Sequence, residues 1–177
     1  MAVKANFELM ASYNQRMNKA LYEVAATLNN EELHQDRGAF FHSIMGTLNH
    51  ILVGDIIWLK RFACHKIALP SLEAVTVLKT PPSLDATLCS SLTELTVQRL
   101  YLDGIIVQFT AQLTEQAMAT PLAYNNSKGL PFNKNFGHLL QHFFNHQTHH
   151  RGQISTLLYQ AGVDVGVTDL LLAIPNE

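Results

Sequence analysis

Gln141–Gln153, QHFFNHQTHHRGQ, carries four of the nine histidines of this 177-residue chain, in a segment with helical apolar neighbours and no proline. Each helical residue advances by roughly 100°, so His146 and His150, four apart, fall within about 40° of each other, one turn apart on one face. That is a bidentate metal-binding geometry. His149, about 60° from His146 on the other side, competes with His150 for the second position. A neutral imidazole offers a metal one lone pair, so such a pair holds an ion only if another element supplies a third ligand.

The best candidate for that third ligand is His50, inside Phe40–Phe62, FFHSIMGTLNHILVGDIIWLKRF, a strongly apolar segment that also reads as helix. Two helices crossing in a bundle would bring His50 over His146 and His150. Three imidazoles with one or two open positions are what a catalytic metal needs. His138, His142, His146 and His150 form a ladder that turns about 40° per step and cannot serve one ion together. His142 is read as a neighbour at the pocket edge, and His138, His34, His42 and His65 as surface or loop residues.

Outward from these two segments, apolar residues from about Ala5 to Leu28 recur at threes and fours (Phe7, Met10, Met17, Leu21, Val24, Ala25, Leu28), the period of an amphipathic helix. Asn14 and Asn18 share one of its faces, as an interhelical hydrogen-bonding strip or, less favoured, as part of the pocket lining. NNEELHQDRGAF then breaks the pattern and reads as a connection. The second helix is expected from about Phe41 to Cys64. Gly46 and Gly54 inside it suggest close approach of another helix or a ligand, since each costs about 1 kcal/mol against alanine. Trp58 reads as a core residue, with a pocket wall as its other use.

His65–Leu88 holds three of the six prolines, two of them consecutive, so it reads as a long crossover, the connection that joins parallel neighbours in a bundle. A third helix follows Ser83, with Asp85 as its candidate cap, and extends to about Gln116. Ala119–Gly137 has the turn residues of a short hairpin or an irregular excursion and is a candidate pocket lid. The last helix runs from about Phe136 to Gln160, with Gly162 as its stop. The apolar tail is expected to dock on the bundle or on a second subunit.

Length suits one domain over residues 1–177, and 47% hydrophobic with 15% charged residues is a globular composition with low surface charge. A net charge of −2 without a basic cluster argues against nucleic acid as a partner. The run Ile51–Leu59 is too short to span a membrane and Asp55 interrupts it. The first residues lack the apolar core of a signal peptide, so a cytoplasmic location is expected. Cys64 and Cys89 form no paired motif and read as ordinary thiols. No HExxH helix, nucleophile elbow, phosphate-cradling loop or dinucleotide fingerprint occurs.

TLNHILVGDIIWLKRF and HFFNHQTHHRGQ, with YNQRMNKALYE near the start and AGVDVGVTDLLLAIP at the end, resemble the DinB family of DinB/YfiT-like proteins over nearly the whole chain. The HxxxHRGQ signature, His146 to Gln153, together with an upstream helical histidine carries the resemblance. It implies an all-α four-helix bundle of up-down-down-up connectivity, with the long crossover between the second and third helices, and frequently a homodimer. It also implies His50, His146 and His150 as the metal ligands, in preference to His149. Its studied members include thiol-dependent transferases and isomerases that use low-molecular-weight thiols.

The resemblance thus implies a divalent-metal enzyme that activates a thiol or water for a small-molecule substrate. A thiol has a pKa near about 8.5, and coordination favours its nucleophilic form. Zinc or nickel is the first expectation for the ion, with iron or manganese as alternatives. The rival is a non-catalytic, stress-related protein that binds a metal or small ligand. Arg151 is expected to pair with a carboxylate such as Asp55, or else to bind an anionic substrate. Gln153 is expected to bond a backbone group or a ligand histidine.

Overall fold

The computed structural model describes residues 3–176. Among them are seven α-helices, two 3-10 turns and one small two-stranded antiparallel sheet, a mostly helical chain as the all-α expectation requires. Helix α1, Val3–Ala25, buries Phe7, Ala11, Met17, Leu21 and Ala25, the spacing its sequence pattern predicts. A five-residue helix α2, Asn30–His34, follows, closed by a reciprocal capping box between Asn29 and Glu32. The chain then turns through Gly38 (φ 70°) and His42, the one non-glycine residue with positive φ (65°) among those described.

Helix α3, Ile44–Phe62, starts where Ser43 Oγ accepts the Gly46 N–H at 3.0 Å. A Cβ at Gly46 would stand 2.1 Å from the Phe41 carbonyl oxygen, so this glycine lets the entering loop fold tightly onto the helix. The connection that follows is long, as its prolines predict. It contains a 3-10 turn at Pro70–Leu72 and a one-turn helix α4, Glu73–Thr76, anchored by buried Leu72 and Val75. Lys60 closes it by donating to the carbonyls of Thr76 (2.9 Å) and Leu78 (2.6 Å).

Helix α5, Leu92–Ala111, begins at Ser91, whose Oγ accepts the Glu94 N–H, and not at the expected Asp85, which is exposed. The difference has a local cause. Asn49 of α3 accepts the N–H groups of Leu88 (2.8 Å) and Cys89 (3.0 Å) and donates to the Cys89 carbonyl, so those backbone groups are spent before a helix can use them.

Helix α6, Glu115–Ala119, precedes the hairpin of β1, Pro121–Asn125, and β2, Pro131–Asn135, in which Tyr124 pairs with Phe132. Helix α7, Phe136–Gln160, occupies its expected span; Asn135 caps it and Gly162 (φ 84°) ends it. The tail lies against α1, where the Tyr13 hydroxyl donates to the Thr168 carbonyl, yet Leu171 and Leu172 stay exposed.

Each long helix packs on two others: α1 on α5 and α7, and α3 on α5 and α7. Between them lies one core, with an aromatic end formed by Phe62, Phe109, Phe136 and Phe143. His65, expected as a surface or loop residue, lies in the loop after α3 and is buried there, stacked on Phe136 at 4.4 Å. No helix among the described residues is long and apolar enough to cross a membrane.

Candidate metal centre

His50 lies in the middle of α3, and His146 and His150 one turn apart on α7, which packs against it. Their Nε2 atoms converge: His50 to His146 is 3.2 Å and His50 to His150 is 3.1 Å. Among the described residues, these three form the group of His, Cys, Asp or Glu side chains whose ligand atoms lie close enough to share one ion. Two nitrogens held about 2.0–2.1 Å from a single ion at a tetrahedral angle stand roughly 3.3–3.4 Å apart. The observed spacing is close to that.

The tautomers decide what these contacts are. His50 Nδ1 is 2.7 Å from the Leu84 carbonyl, which can only accept, so Nδ1 carries the proton. His150 Nδ1 likewise faces Gln153 Oε1 at 2.7 Å. Both rings therefore direct bare Nε2 lone pairs at each other, with no proton to make the 3.1 Å contact a hydrogen bond. A cation is the partner this donor set fits, and the outward Nδ1–H bonds are those that orient histidine ligands.

Burial disfavours the charged imidazole at all three positions. It pushes His146 down to about 3, helped by the neighbouring imidazoles. It takes His150 to about 4 against the bond to Gln153, and it lowers His50 against the bond to Leu84. The rings are thus held neutral, the form a metal needs.

Several surrounding residues shape the centre. A Cβ at Gly54 would stand 2.8 Å from His146 Cε1, so the bare backbone there gives the ring its space, as the glycine pattern suggested. Phe41 stacks on His50 at 3.8 Å and meets His150 edge-on. A cavity of about 570 Å³ reaches His50 and His150 past Phe40, Leu84 and the exposed His149. His142 is at the edge, its ring 6.3 Å from His146 and 5.1 Å from Trp58. Trp58 is half-buried and packs on the core beside Phe62, the favoured reading, and it does not line the cavity at His50 and His150.

Arg151 does not meet Asp55. It donates to Asn14 Oδ1 at 2.8 Å and Thr148 Oγ1 at 3.0 Å and lies over the Tyr13 ring, tying α7 to α1. Asp55 takes Arg99 of α5 instead, at 2.5 Å, with Gln147 donating to the same oxygen at 2.8 Å. Arg99 Nη2 also stands 2.9 Å from Asp103 Oδ1, at an angle too oblique for a hydrogen bond, and Asn18 donates to that oxygen at 2.9 Å. Asn14 and Asn18 are therefore interhelical bonding groups, the favoured reading. Burial pushes Asp103 up to about 6 against the opposing charge of Arg99, and burial also raises Asp55.

Sequence reasoning missed Arg99, Asn49, Phe41 and the Leu84 carbonyl. Arg99 and Asp103 carried a usable signal, an i, i+4 charge pair inside an apolar helix, and Asn49 another, a polar residue beside His50. The Leu84 carbonyl carried none, because a backbone acceptor has no residue type.

The profile of the DinB family matches residues 1–176. Protein DinB of Bacillus subtilis (strain 168) is 28% identical over 157 residues, covering 89% of this chain and 87% of that protein. No solved structure matches. With its profile match running over essentially the full length, this chain belongs to the DinB family.

Proposed function

We propose that His50, His146 and His150 bind one divalent ion and that the protein is a metal-dependent enzyme, of transferase or hydrolase type, activating a thiol or water. The observation that carries this is the convergence of three Nε2 atoms at 3.1–3.2 Å, those of His50 and His150 bare because their Nδ1 atoms already donate to Leu84 and Gln153. An ion held there would act as a Lewis acid and lower the pKa of a thiol or water reaching it. The chain's own part is to keep the imidazoles neutral, hold two by their Nδ1–H groups, and shield one flank with Phe41.

The solvent-facing cavity beside His50 and His150 favours an enzyme over a non-catalytic metal binder, which has no need of an open position. Zinc or nickel suits three imidazoles first, and iron or manganese follows. We read the four long helices as a single-domain bundle of up-down-down-up connectivity, supported by the long segment between α3 and α5, and the working unit as a homodimer in the cytoplasm.

Metal analysis by mass spectrometry on untagged protein tests the reading, with His50→Ala, His146→Ala and His150→Ala alongside and thiol-transfer assays on the loaded form. One ion per chain, lost in each variant, is expected. Stoichiometric metal retained in all three variants would sink the site.

A further inference from the structure

The second half of α3 leads from the histidines to a different kind of side chain. Arg61 is half-buried, with its guanidinium 4.8 Å from the Trp58 ring and 5.1 Å from that of Tyr124 on the hairpin. Such stacking holds the plane of the group and leaves its in-plane N–H donors free. Among the described residues, no carboxylate pairs with it and no acceptor bonds it. Burial lowers its pKa, with only Tyr124 opposing. A half-buried arginine without an anion contrasts with its neighbour Lys60, whose ammonium is spent on three carbonyls.

Arg61 faces a cavity of about 510 Å³ between α3, the Pro81–Leu84 segment and β1. Leu84 lines this cavity and also the one at His50 and His150, so the two cavities border the same residue. Lys134 of β2, on the other side of the Trp58 and Tyr124 rings, adds positive potential that together with Arg61 bears on His142. Arg61 stands eleven positions after His50 in α3, or ~16 Å along the helix axis. A small molecule touching both would carry its charged end well away from its reacting end.

We propose that Arg61 is the anion-recognition residue of the cleft, taking an oxyanion head group, a carboxylate or a phosphate, on a substrate or thiol whose other end reaches the three histidines. The proposal rests on the reading of those histidines as the reacting centre. A planar fork of donors fixed between two rings suits bidentate oxyanion binding, and distance from the centre makes the contact one of selection and orientation.

Trp58 is the chain's single tryptophan and touches Arg61, so its fluorescence reports the site directly. Succinate and inorganic phosphate would be titrated at constant ionic strength into the full chain, metal-free and zinc-loaded. A saturable change with either probe is expected in both forms, and the tighter probe identifies the head group. Arg61→Gln should weaken it about ten-fold or more, and Arg61→Lys by less, because charge survives while the fork is lost. Circular dichroism checks the fold, and if Arg61→Gln does not fold, an unweakened Arg61→Lys overturns the proposal.

Equal titration of Arg61→Gln and wild type would also overturn it. So would the absence of any saturable change up to about 50 mM, beyond the millimolar range of a weak site. A change seen only with zinc and lost in His50→Ala would place the anion on the metal instead. Zinc stoichiometry is read separately: Arg61→Gln should keep it, and its loss in His50→Ala with the metal-free titration unchanged separates the two readings.

Discussion

Helix α3 plants two buried polar groups five residues apart, His50 and Asp55, and they end in opposite circumstances. Asp55 is answered by the chain itself: Arg99 and Gln147 reach it from two other helices. His50 is answered by two more groups of its own kind, whose Nε2 atoms converge with its own on a common point. Opposite charges brought together inside a protein hold helices in register, whereas like lone pairs brought together await a partner from outside. The first arrangement is structural and the second the candidate site.

Breaking the first should cost the most stability. Asp55→Ala leaves Arg99 with one carboxylate and Gln147 without its acceptor, and we expect about 3 kcal/mol of destabilisation in urea unfolding. Zinc stoichiometry of the folded fraction should persist. His50→Ala should show the reverse, near-normal unfolding of the metal-free protein with metal binding gone.

The two clusters should also answer pH in opposite directions. Asp103 has an ordinary carboxyl value of 3.8 and sits at about 6 in the fold, so the folded state holds its proton longer. Its contribution is full below about pH 4 and is lost as pH rises to 6, roughly 3 kcal/mol in all. The histidines have folded values below 6.5, so theirs is present above that pH and is lost as pH falls toward 4. Asp103→Asn should therefore remove a falling component from the stability profile between pH 4 and 6. An unchanged slope would place the titration elsewhere.

Smaller effects sharpen the site itself. Gln153→Ala removes the acceptor for His150 Nδ1 and should weaken zinc about 10–100-fold in competition with a chelator, with little change in melting. Gly54→Ala keeps every ligand atom but places a methyl against His146 Cε1. We expect about a ten-fold loss of affinity, while the gain in helix propensity of about 1 kcal/mol offsets part of the crowding.

The ends of α7 and the histidine pairing were legible because they depend on local rules: Asn135 and Gly162 bracket α7, and an i, i+4 spacing has one geometric meaning. The partner of Asp55 was not, because it depends on how α5 is rotated. That helix exposes Val97, Leu100 and Tyr101 while burying Arg99 and Asp103, the inverse of the pattern by which a buried face is found. Arg151 looked the better partner for being beside a candidate ligand, yet it faces α1. The start of α5 was misplaced for a similar reason, since the Asn49 side chain of another helix holds the backbone just before it.

The bond from His50 to Leu84 has a consequence for how such a protein can diverge. The acceptor is main chain, so it survives any replacement of the Leu84 side chain that leaves the backbone in place. That side chain is half-exposed and borders both cavities. Mutation is free to vary the shape and polarity of both cavity walls at this point while the orientation of the histidine is inherited unchanged. New ligands can be tried there without dismantling the three-histidine cluster.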